Sequence, residues 1–238
     1  MLSILLLGLL LGLQHALDAD HLAAVASLST HNRNLRDAAR QGAAWGLGHS
    51  LTLLLLGGTL LMLNASLPDW TVDLLQAGVG LMLLALGLNL LYRLWSARIH
   101  FHSHRHGPQT HFHAHSHAPG IEHRHDPHHH AHPRRLPLRA LLVGSMHGMA
   151  GTAALLVLTL GSVSSVGQGL LYLAVFGVGS IIGMSVLAVV ISAPLRWSAN
   201  RLTWAHNALN LVFGLATVGI GSLLLQHSVL AMIAAHSQ

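Results

Sequence analysis

The chain has 238 residues, of which 52% are hydrophobic and only 8% are charged. A soluble domain carries about 25% charged residues, so this composition predicts an integral membrane protein and excludes an ordinary soluble domain. The absence of cysteine excludes disulfide bonds and thiolate metal sites. All 12 basic residues are arginines. Because they fall in connections beside apolar segments, they indicate membrane topology rather than nucleic-acid binding.

Six apolar segments are long enough to cross a bilayer, which takes about 20 residues in a helix. They cover residues 2–28, 41–63, 72–95, 138–161, 168–194 and 202–225. The sequence therefore predicts an all-α integral membrane protein with six transmembrane helices. We expect three parts, namely a first transmembrane half (1–95), a His-rich cytoplasmic loop (96–137) and a second transmembrane half (138–238).

Every arginine falls on one side of this six-span arrangement. The set comprises Arg33, Arg36, Arg40, Arg93, Arg98, Arg105, Arg124, Arg134, Arg135, Arg139, Arg196 and Arg201. Cytoplasmic connections are enriched in arginine and lysine, so that side is predicted to be cytoplasmic. Both termini are then expected outside, in a multi-pass protein of the plasma (inner) membrane.

A weak internal repeat relates the two halves. Gly12-Leu13-Gln14-His15 in the first span matches Gly144-Ser145-Met146-His147 in the fourth, and residues 76–81 resemble residues 210–215. Each half has three spans, so the second half would be inserted upside down relative to the first. This is the inverted-repeat plan of many transporters, which place the substrate site near the midplane between the halves.

The first span contains four ionisable residues, His15, Asp18, Asp20 and His21. Such residues cost roughly 2.5–3.5 kcal/mol each on insertion scales, and all four are of types that bind divalent metal. On a regular helix His15, Asp18 and His21 share one face, whereas Asp20 points to the other side. Asp20 must therefore serve another helix, or the backbone is distorted.

A straight helix would separate His15 from His21 by about 9 Å along its axis. One metal ion could not easily reach both. Either the helix is locally unwound, or the residues form successive stations on a path. The competing interpretation is a buried polar network that only holds helices together.

Two later histidines also lie inside predicted spans. His49 follows Gly46-Leu47-Gly48 in the second span and is predicted to be a ligand or part of the metal path, with a helix-to-helix hydrogen bond as the alternative. His147 lies between Met146 and Met149 in the fourth span. Divalent nickel and cobalt prefer nitrogen and oxygen ligands to thioethers, so we expect His147 to bind metal and the methionines to pack.

The central loop contains 14 histidines between His100 and His132, partly in alternating His-x-His order. It also contains Gly and Pro and few apolar residues, so it is predicted to be disordered. Histidine-rich tracts bind divalent metal weakly. We expect this loop to bind metal, and a solvated linker with incidental affinity is the alternative.

The segment from His15 to His21 resembles the signature of the nickel/cobalt transporter (NiCoT) family, which reads His, four residues, Asp, His. His15, Asp20 and His21 match it, and Leu47-Gly48-His49-Ser50 resembles the family's motif on the next helix. Typical members have eight spans, one of them before the signature, and later Asp-Thr motifs that this chain lacks. Residues 144–152 are instead similar to the shorter six-span branch near urease-accessory nickel permeases, and the His-rich loop resembles that of efflux members.

The resemblance implies transport of Ni²⁺ or Co²⁺. We therefore predict a secondary permease that is not an enzyme, takes no cofactor, and imports Ni²⁺ and/or Co²⁺ as its substrate. The predicted metal ligands are His15, Asp18, Asp20, His21, His49 and His147. Expected partners are the metal ion, the lipid bilayer and cytoplasmic metallochaperones, but not nucleic acid.

Three other functions remain open from the sequence. An efflux protein of the same superfamily would use the His-rich loop to collect metal. A membrane-anchored metal sensor or chaperone would depend on the same loop. A membrane-embedded metalloenzyme is disfavoured, because the chain has no His-Glu-x-x-His motif and its only glutamate, Glu122, lies in the loop.

Overall fold

The computed structural model describes residues 2–30, 34–96, 99–106, 109–116, 137–160 and 165–236. The apolar segments predicted as spans are helical. The helices are α1 (Leu2–His15), α2 (Ala19–Ser29), α3 (Leu35–Thr52), α4 (Gly58–Met62), α5 (Asp69–Ser96), α6 (Leu138–Leu160), α7 (Val166–Arg201) and α8 (Thr203–His236). A π-helical turn, Leu53–Gly57, joins α3 to α4 without interruption.

Among the described residues, four helical segments are long and apolar enough to cross a membrane. They are Leu35–Met62, Asp69–Ser96, Val166–Ser198 and Trp204–Ala235. They correspond to the second, third, fifth and sixth predicted spans. The first predicted span is divided between α1 and α2, and the fourth corresponds to α6, so the count of six stays a prediction. The chain is a multi-pass α-helical membrane protein.

Large apolar side chains lie exposed along these helices. Leu10, Leu55 and Val190 are each about 60% exposed, for example. Such surfaces are unfavourable in water, but lipid tails solvate them as well as a protein core does. The exposed leucines and valines therefore fit helices that face lipid.

The central loop contains two antiparallel strands, β1 (Ile99–His106) and β2 (Gln109–Ser116), in which Ile99 pairs with Ser116. The sequence predicts disorder from 96 to 137. The alternation of histidine with other residues has the period of two that a strand has, which accounts for the pairing there. The rest of the predicted disordered loop, residues 97–98, 107–108 and 117–136, lies outside the described residues.

Helix α3 lies at the centre of the packing that forms the functional site. It contacts α6 on one side and α7 on the other, and α1 also packs against α7. Helix α2 contacts α7 and α8, and α5 packs along α8. Trp45, Leu83 and Met184 are fully buried between these helices. Polar side chains from the α1–α2 junction, the last turn of α3 and the middle of α6 are thereby brought together.

Candidate metal centre

The first predicted span is interrupted beside the metal-binding signature. Helix α1 ends at His15 and α2 begins at Ala19. Between them the backbone N–H of Leu17 donates to the carbonyl of Gln14, and that of Asp18 donates to His15. Asp18 has an extended backbone and occupies the N-cap position of α2, where aspartate is favoured. The chain therefore makes a tight turn at this point and starts a new helix.

This interruption brings His15 and His21 together. Their ring centroids lie 4.5 Å apart, whereas a straight helix would separate the residues by about 9 Å along its axis. Of the two alternatives left open by the sequence, local unwinding is the one observed.

His49 of α3 completes the first group of possible ligands. Its Nε2 atom lies 3.2 Å from Nε2 of His15. One ring nitrogen from each of His15, His21 and His49 lies within 4.8 Å of the others. Two imidazole nitrogens bound to one ion at about 2.0–2.1 Å are themselves about 3 Å apart. The separation of His15 and His49 therefore fits two ligands of one divalent ion, and His21 lies close enough to be a third candidate ligand.

Asp18 lies beside this group rather than in it. Its Oδ2 atom is 2.8 Å from Nδ1 of His15, and its side chain is 54% exposed. A carboxylate that accepts the Nδ1 proton of a histidine fixes the tautomer and leaves the Nε2 lone pair for a metal ion. The sequence predicts Asp18 as a metal ligand. The structure instead places its carboxylate against Nδ1 of His15, where it orients that ring.

Asp20 connects the interrupted span to α6. Its Oδ1 atom lies 3.0 Å from Nδ1 of His21, and its Oδ2 atom lies 2.9 Å from Nε2 of His147. Asp20, His21 and His147 form a second group whose ligand atoms lie within 4.8 Å of one another. Asp20 thus contacts another helix, which is one of the two alternatives that its position on the helical wheel leaves. His21 belongs to both groups.

Three of the four histidines in the two groups are buried, whereas His15 is 20% exposed. His21, His49 and His147 are at most 3% exposed. His21 Nε2, His49 Nδ1 and His147 Nδ1 have no hydrogen-bond partner among the described residues. Buried polar atoms are nearly always paired, so such unpaired nitrogens call for an explanation. A ligand role explains His21 Nε2 most directly, because Asp20 already holds the other nitrogen of that ring.

Two aromatic residues line the site, and sequence reasoning missed both. The indole ring of Trp45 lies with its centroid 5.3 Å from that of His21 and 5.9 Å from that of His147. The Phe176 ring centroid on α7 lies 5.3 Å from that of His15. Trp45 precedes His49 by four residues, and this spacing on one helical face could have revealed it. Phe176 has no such local signal.

Five of the six predicted ligands therefore come together, and the sixth supports one of them. They lie on three segments, namely the α1–α2 interruption, α3 and α6. The donors are imidazole nitrogens and a carboxylate, which suit Ni²⁺, Co²⁺ or Zn²⁺. The same donors would also suit a polar network between helices, so the chemistry of the site has to be tested with metal.

Comparison with known proteins supports a metal-transport family. The chain is 31% identical to the urease accessory protein UreH of Bacillus sp. (strain TB-90), over 93% of this chain and 90% of that protein. It is 27% identical to a protein of Methanocaldococcus jannaschii named as a candidate nickel/cobalt efflux system, over 93% of this chain and 91% of that protein.

No protein-family model matches the chain, and no solved structure is significantly similar to it. The relatives are named as transporter or accessory proteins and not as enzymes, which fits the predicted lack of catalytic activity. Each alignment covers nine tenths or more of both proteins. The chain belongs to the nickel/cobalt transporter superfamily, in the branch of the urease accessory protein UreH.

Proposed function

We propose that this protein is a secondary permease that carries Ni²⁺ or Co²⁺ across the membrane through the intramembrane histidine and aspartate groups. The observation that carries the proposal is the sharing of His21 between two groups of ligand atoms. An ion held by the first group can move to the second while it keeps one ligand. The free energy needed to pass from one group to the other is then smaller than for complete release.

The residues have separate roles in this proposal. His15, His21 and His49 replace part of the hydration shell of the ion when it enters the membrane. Asp18 keeps Nε2 of His15 available as a ligand. Asp20 supplies negative charge in the second group, which offsets part of the cost of holding a dication inside the membrane.

We propose inward transport, with the termini outside and the His-rich loop in the cytoplasm. The arginines support this orientation, because they all flank one side of the predicted spans. The intact match of His15, Asp20 and His21 to the family signature favours uptake. One relative is named for urease and the other for efflux, so their names do not agree on a direction.

The proposal is tested with purified protein in liposomes loaded with a metal-sensitive dye. We expect the wild type to transport nickel, with cobalt competing, and His15→Ala to lose transport while it still folds and inserts. His227→Ala is the matched control, because His227 is exposed on α8 and belongs to neither group. Wild-type flux from His15→Ala would reject this path. In cells, lower nickel content with the wild type than with His15→Ala would reject uptake in favour of efflux.

A further inference from the structure

The two halves of the chain pack in the same pattern with their order exchanged. Helix α1 packs against α7, and α6 packs against α3. Helix α3 also packs against α7, and α5 packs against α8. Exchanging α1–α2 with α6, α3 with α7 and α5 with α8 turns the α1–α7 contact into the α3–α6 contact. The same exchange turns the α3–α7 and α5–α8 contacts into themselves. This is the pattern expected of two repeats related by a two-fold axis in the membrane plane.

Glycine contacts give the register of this relationship. Gly179 of α7 lies against the carbonyl group of Leu9 in α1, and Gly48 of α3 lies against the carbonyl group of Leu141 in α6. Leu141 follows Leu9 by 132 positions, and Gly179 follows Gly48 by 131. The offset of 132 is also the one that separates His15 from His147 in the short sequence repeat.

The α3–α7 contact maps onto itself with the same register. A Cβ atom on Gly46 would lie 2.7 Å from Cα of Ile181, and one on Gly177 would lie 2.9 Å from Cβ of Ser50. Both Gly46 with Gly177 and Ser50 with Ile181 are 131 positions apart. Each of these two contacts is therefore the counterpart of the other.

The α5–α8 contact behaves in the same way. A Cβ atom on Gly80 would lie 2.9 Å from the Gly221 carbonyl oxygen, and one on Gly87 would lie 3.0 Å from the Gly214 carbonyl oxygen. Gly214 follows Gly80 by 134 positions, and Gly221 follows Gly87 by the same number. Equal offsets within the α3–α7 and α5–α8 pairs are what antiparallel packing gives, so these contacts are compatible with the exchange, and the α1–α7 and α3–α6 contacts carry it.

The exchange relates unlike structures at the metal centre. The interruption at residues 16–18 corresponds to residues 148–150 of α6, which is a continuous helix. Two glycines, Gly148 and Gly151, lie at and just beyond this segment. Glycine makes a helix easier to open, because it has more conformational freedom in the unwound state than any other residue. The first span is therefore unwound at the position where its counterpart, α6, is a continuous helix. We call the unwound form open and the continuous form closed.

We propose that α6 opens at residues 148–150 when the α1–α2 interruption closes, and that this exchange moves the metal site from access on one side of the membrane to access on the other. The inference rests on the proposed transport function and adds the two helix segments that change conformation during transport. Transporters with inverted repeats alternate access by moving one repeat against the other around a fixed site. Here the structure assigns the two segments that change.

The exchange also predicts weaker binding in the second state. In the exchanged arrangement His147 takes the place of His15, and Ser180 takes the place of His49, since Ser180 follows His49 by 131 positions. Ser180 is fully buried, and its hydroxyl has no hydrogen-bond partner among the described residues. A neutral hydroxyl is a poorer ligand than imidazole for Ni²⁺ or Co²⁺. Release of the ion after the exchange is thereby favoured.

Ala150→Gly tests the proposal inside the segment that is proposed to open. Ala150 corresponds to Asp18, which has an extended backbone, so this position should change from helix to extended chain in the exchange. Glycine favours the unwound state over the helix by about fourfold to fivefold relative to alanine. The other two positions are unsuitable, because a Cβ atom at Gly148 would collide with a backbone carbonyl group of α3 and Gly151 corresponds to Ala19, which is already helical. Ala150→Gly should make α6 easier to open.

The measurements are nickel flux into liposomes and equilibrium nickel binding by the same purified protein. We expect Ala150→Gly to gain about fourfold to fivefold in flux and to bind nickel with an affinity within about twofold of the wild type. Ala85→Gly and Ala216→Gly are controls, because each makes the same change at an exposed position of a long apolar helix. Both should transport like the wild type.

The outcomes separate this proposal from the transport function. Wild-type flux from Ala150→Gly, beside loss of flux from His15→Ala, would overturn the opening of α6 and leave the permease standing. An equal change of flux in Ala150→Gly and the two controls would overturn it as well, because the effect would then be general. Loss of nickel binding by Ala150→Gly would also overturn it, since the substitution would be acting on the site. Absence of flux from the wild type would reject the permease itself.

Discussion

The Nε2 atoms of His15 and His49 lie 3.2 Å apart, although the two residues are 34 positions apart and belong to different helices. His15 is the last residue of α1, and His49 is fully buried in α3. Without metal, one of the two nitrogens must donate a proton to the other. With metal, both lone pairs can face the same ion.

Replacement of His49 by alanine should therefore remove metal binding and transport together. We expect nickel affinity to fall at least about 100-fold, because one of three imidazole ligands of the first group is lost and no nearby group replaces it. Equilibrium dialysis with purified protein measures the affinity. His227→Ala should bind like the wild type, and unchanged affinity of His49→Ala would show that the first group is only a polar network.

Asp18 should affect the metal site through His15. Asp18→Ala removes the acceptor for Nδ1 of His15, and loss of such an outer partner typically costs about 10-fold to 100-fold in metal affinity. Asp18→Asn can still accept the same hydrogen bond and should recover most of the affinity. If the alanine and asparagine variants bound equally weakly, the negative charge of Asp18 would matter and its orienting role would be wrong.

Asp20 should matter more for flux than for binding to the first group. Asp20→Asn keeps the shape of the side chain but removes the charge that faces His21 and His147. We expect flux to fall at least about 10-fold, because a dication in the second group would lack the nearby negative charge. Stopped-flow fluorescence from loaded liposomes measures the rate. Equal losses in binding and flux would contradict the division into two groups.

The glycines between α3 and α6 should be required for folding rather than for chemistry. A Cβ atom on Gly144 would overlap the Trp45 carbonyl group, and one on Gly48 would overlap that of Leu141. We expect Gly144→Ala to lower stability by about 1–3 kcal/mol, as overpacking usually does. Thermal unfolding in detergent measures this, with Gly78→Ala as the control that should unfold like the wild type.

Deletion of residues 100–132 separates transport from storage. We expect the shortened protein to bind fewer nickel ions, because it lacks the 14 loop histidines. Its flux should stay within about twofold of the wild type, since the ligands of both groups lie outside the loop. A sensor or chaperone would lose its function with this deletion, whereas a permease keeps most of its flux, and loss of all flux would contradict the independence of transport from the loop.

Much of the helical arrangement can be predicted from the sequence, because a helix that crosses the bilayer needs about 20 predominantly apolar residues. Helix α5 covers Asp69–Ser96 where residues 72–95 were predicted. The sequence also marks His15, Asp20, His21, His49 and His147 as candidate ligands, because ionisable residues inside apolar spans are rare and occur at functional sites. It leaves open whether they meet or follow one another along a path.

The interruption of the first span was only one of two alternatives from the sequence. Residues 16–18 contain neither glycine nor proline, and the local signals are only Asp18, a residue type favoured at an N-cap, and its hydrogen bond to His15 three positions earlier. These signals are compatible with a continuous helix as well, whereas the packing of α1 against α7 belongs to the tertiary structure. The same reason hides Phe176, whose proximity to His15 depends on how α1 and α7 meet. Local rules place helices, but contacts between helices decide where one of them stops.

Ending α1 at His15 has an electrostatic consequence for the substrate. The aligned peptide dipoles of a helix leave a partial negative charge of about half an elementary charge at its carboxyl end. In a continuous first span that end would lie far from the histidines, whereas here it lies at His15 itself. The opposite, positive end of α2 begins at Ala19, where Asp20 occupies the first turn. The turn thus gives a dication a favourable field that no side chain supplies and that would vanish whenever the two helices became one.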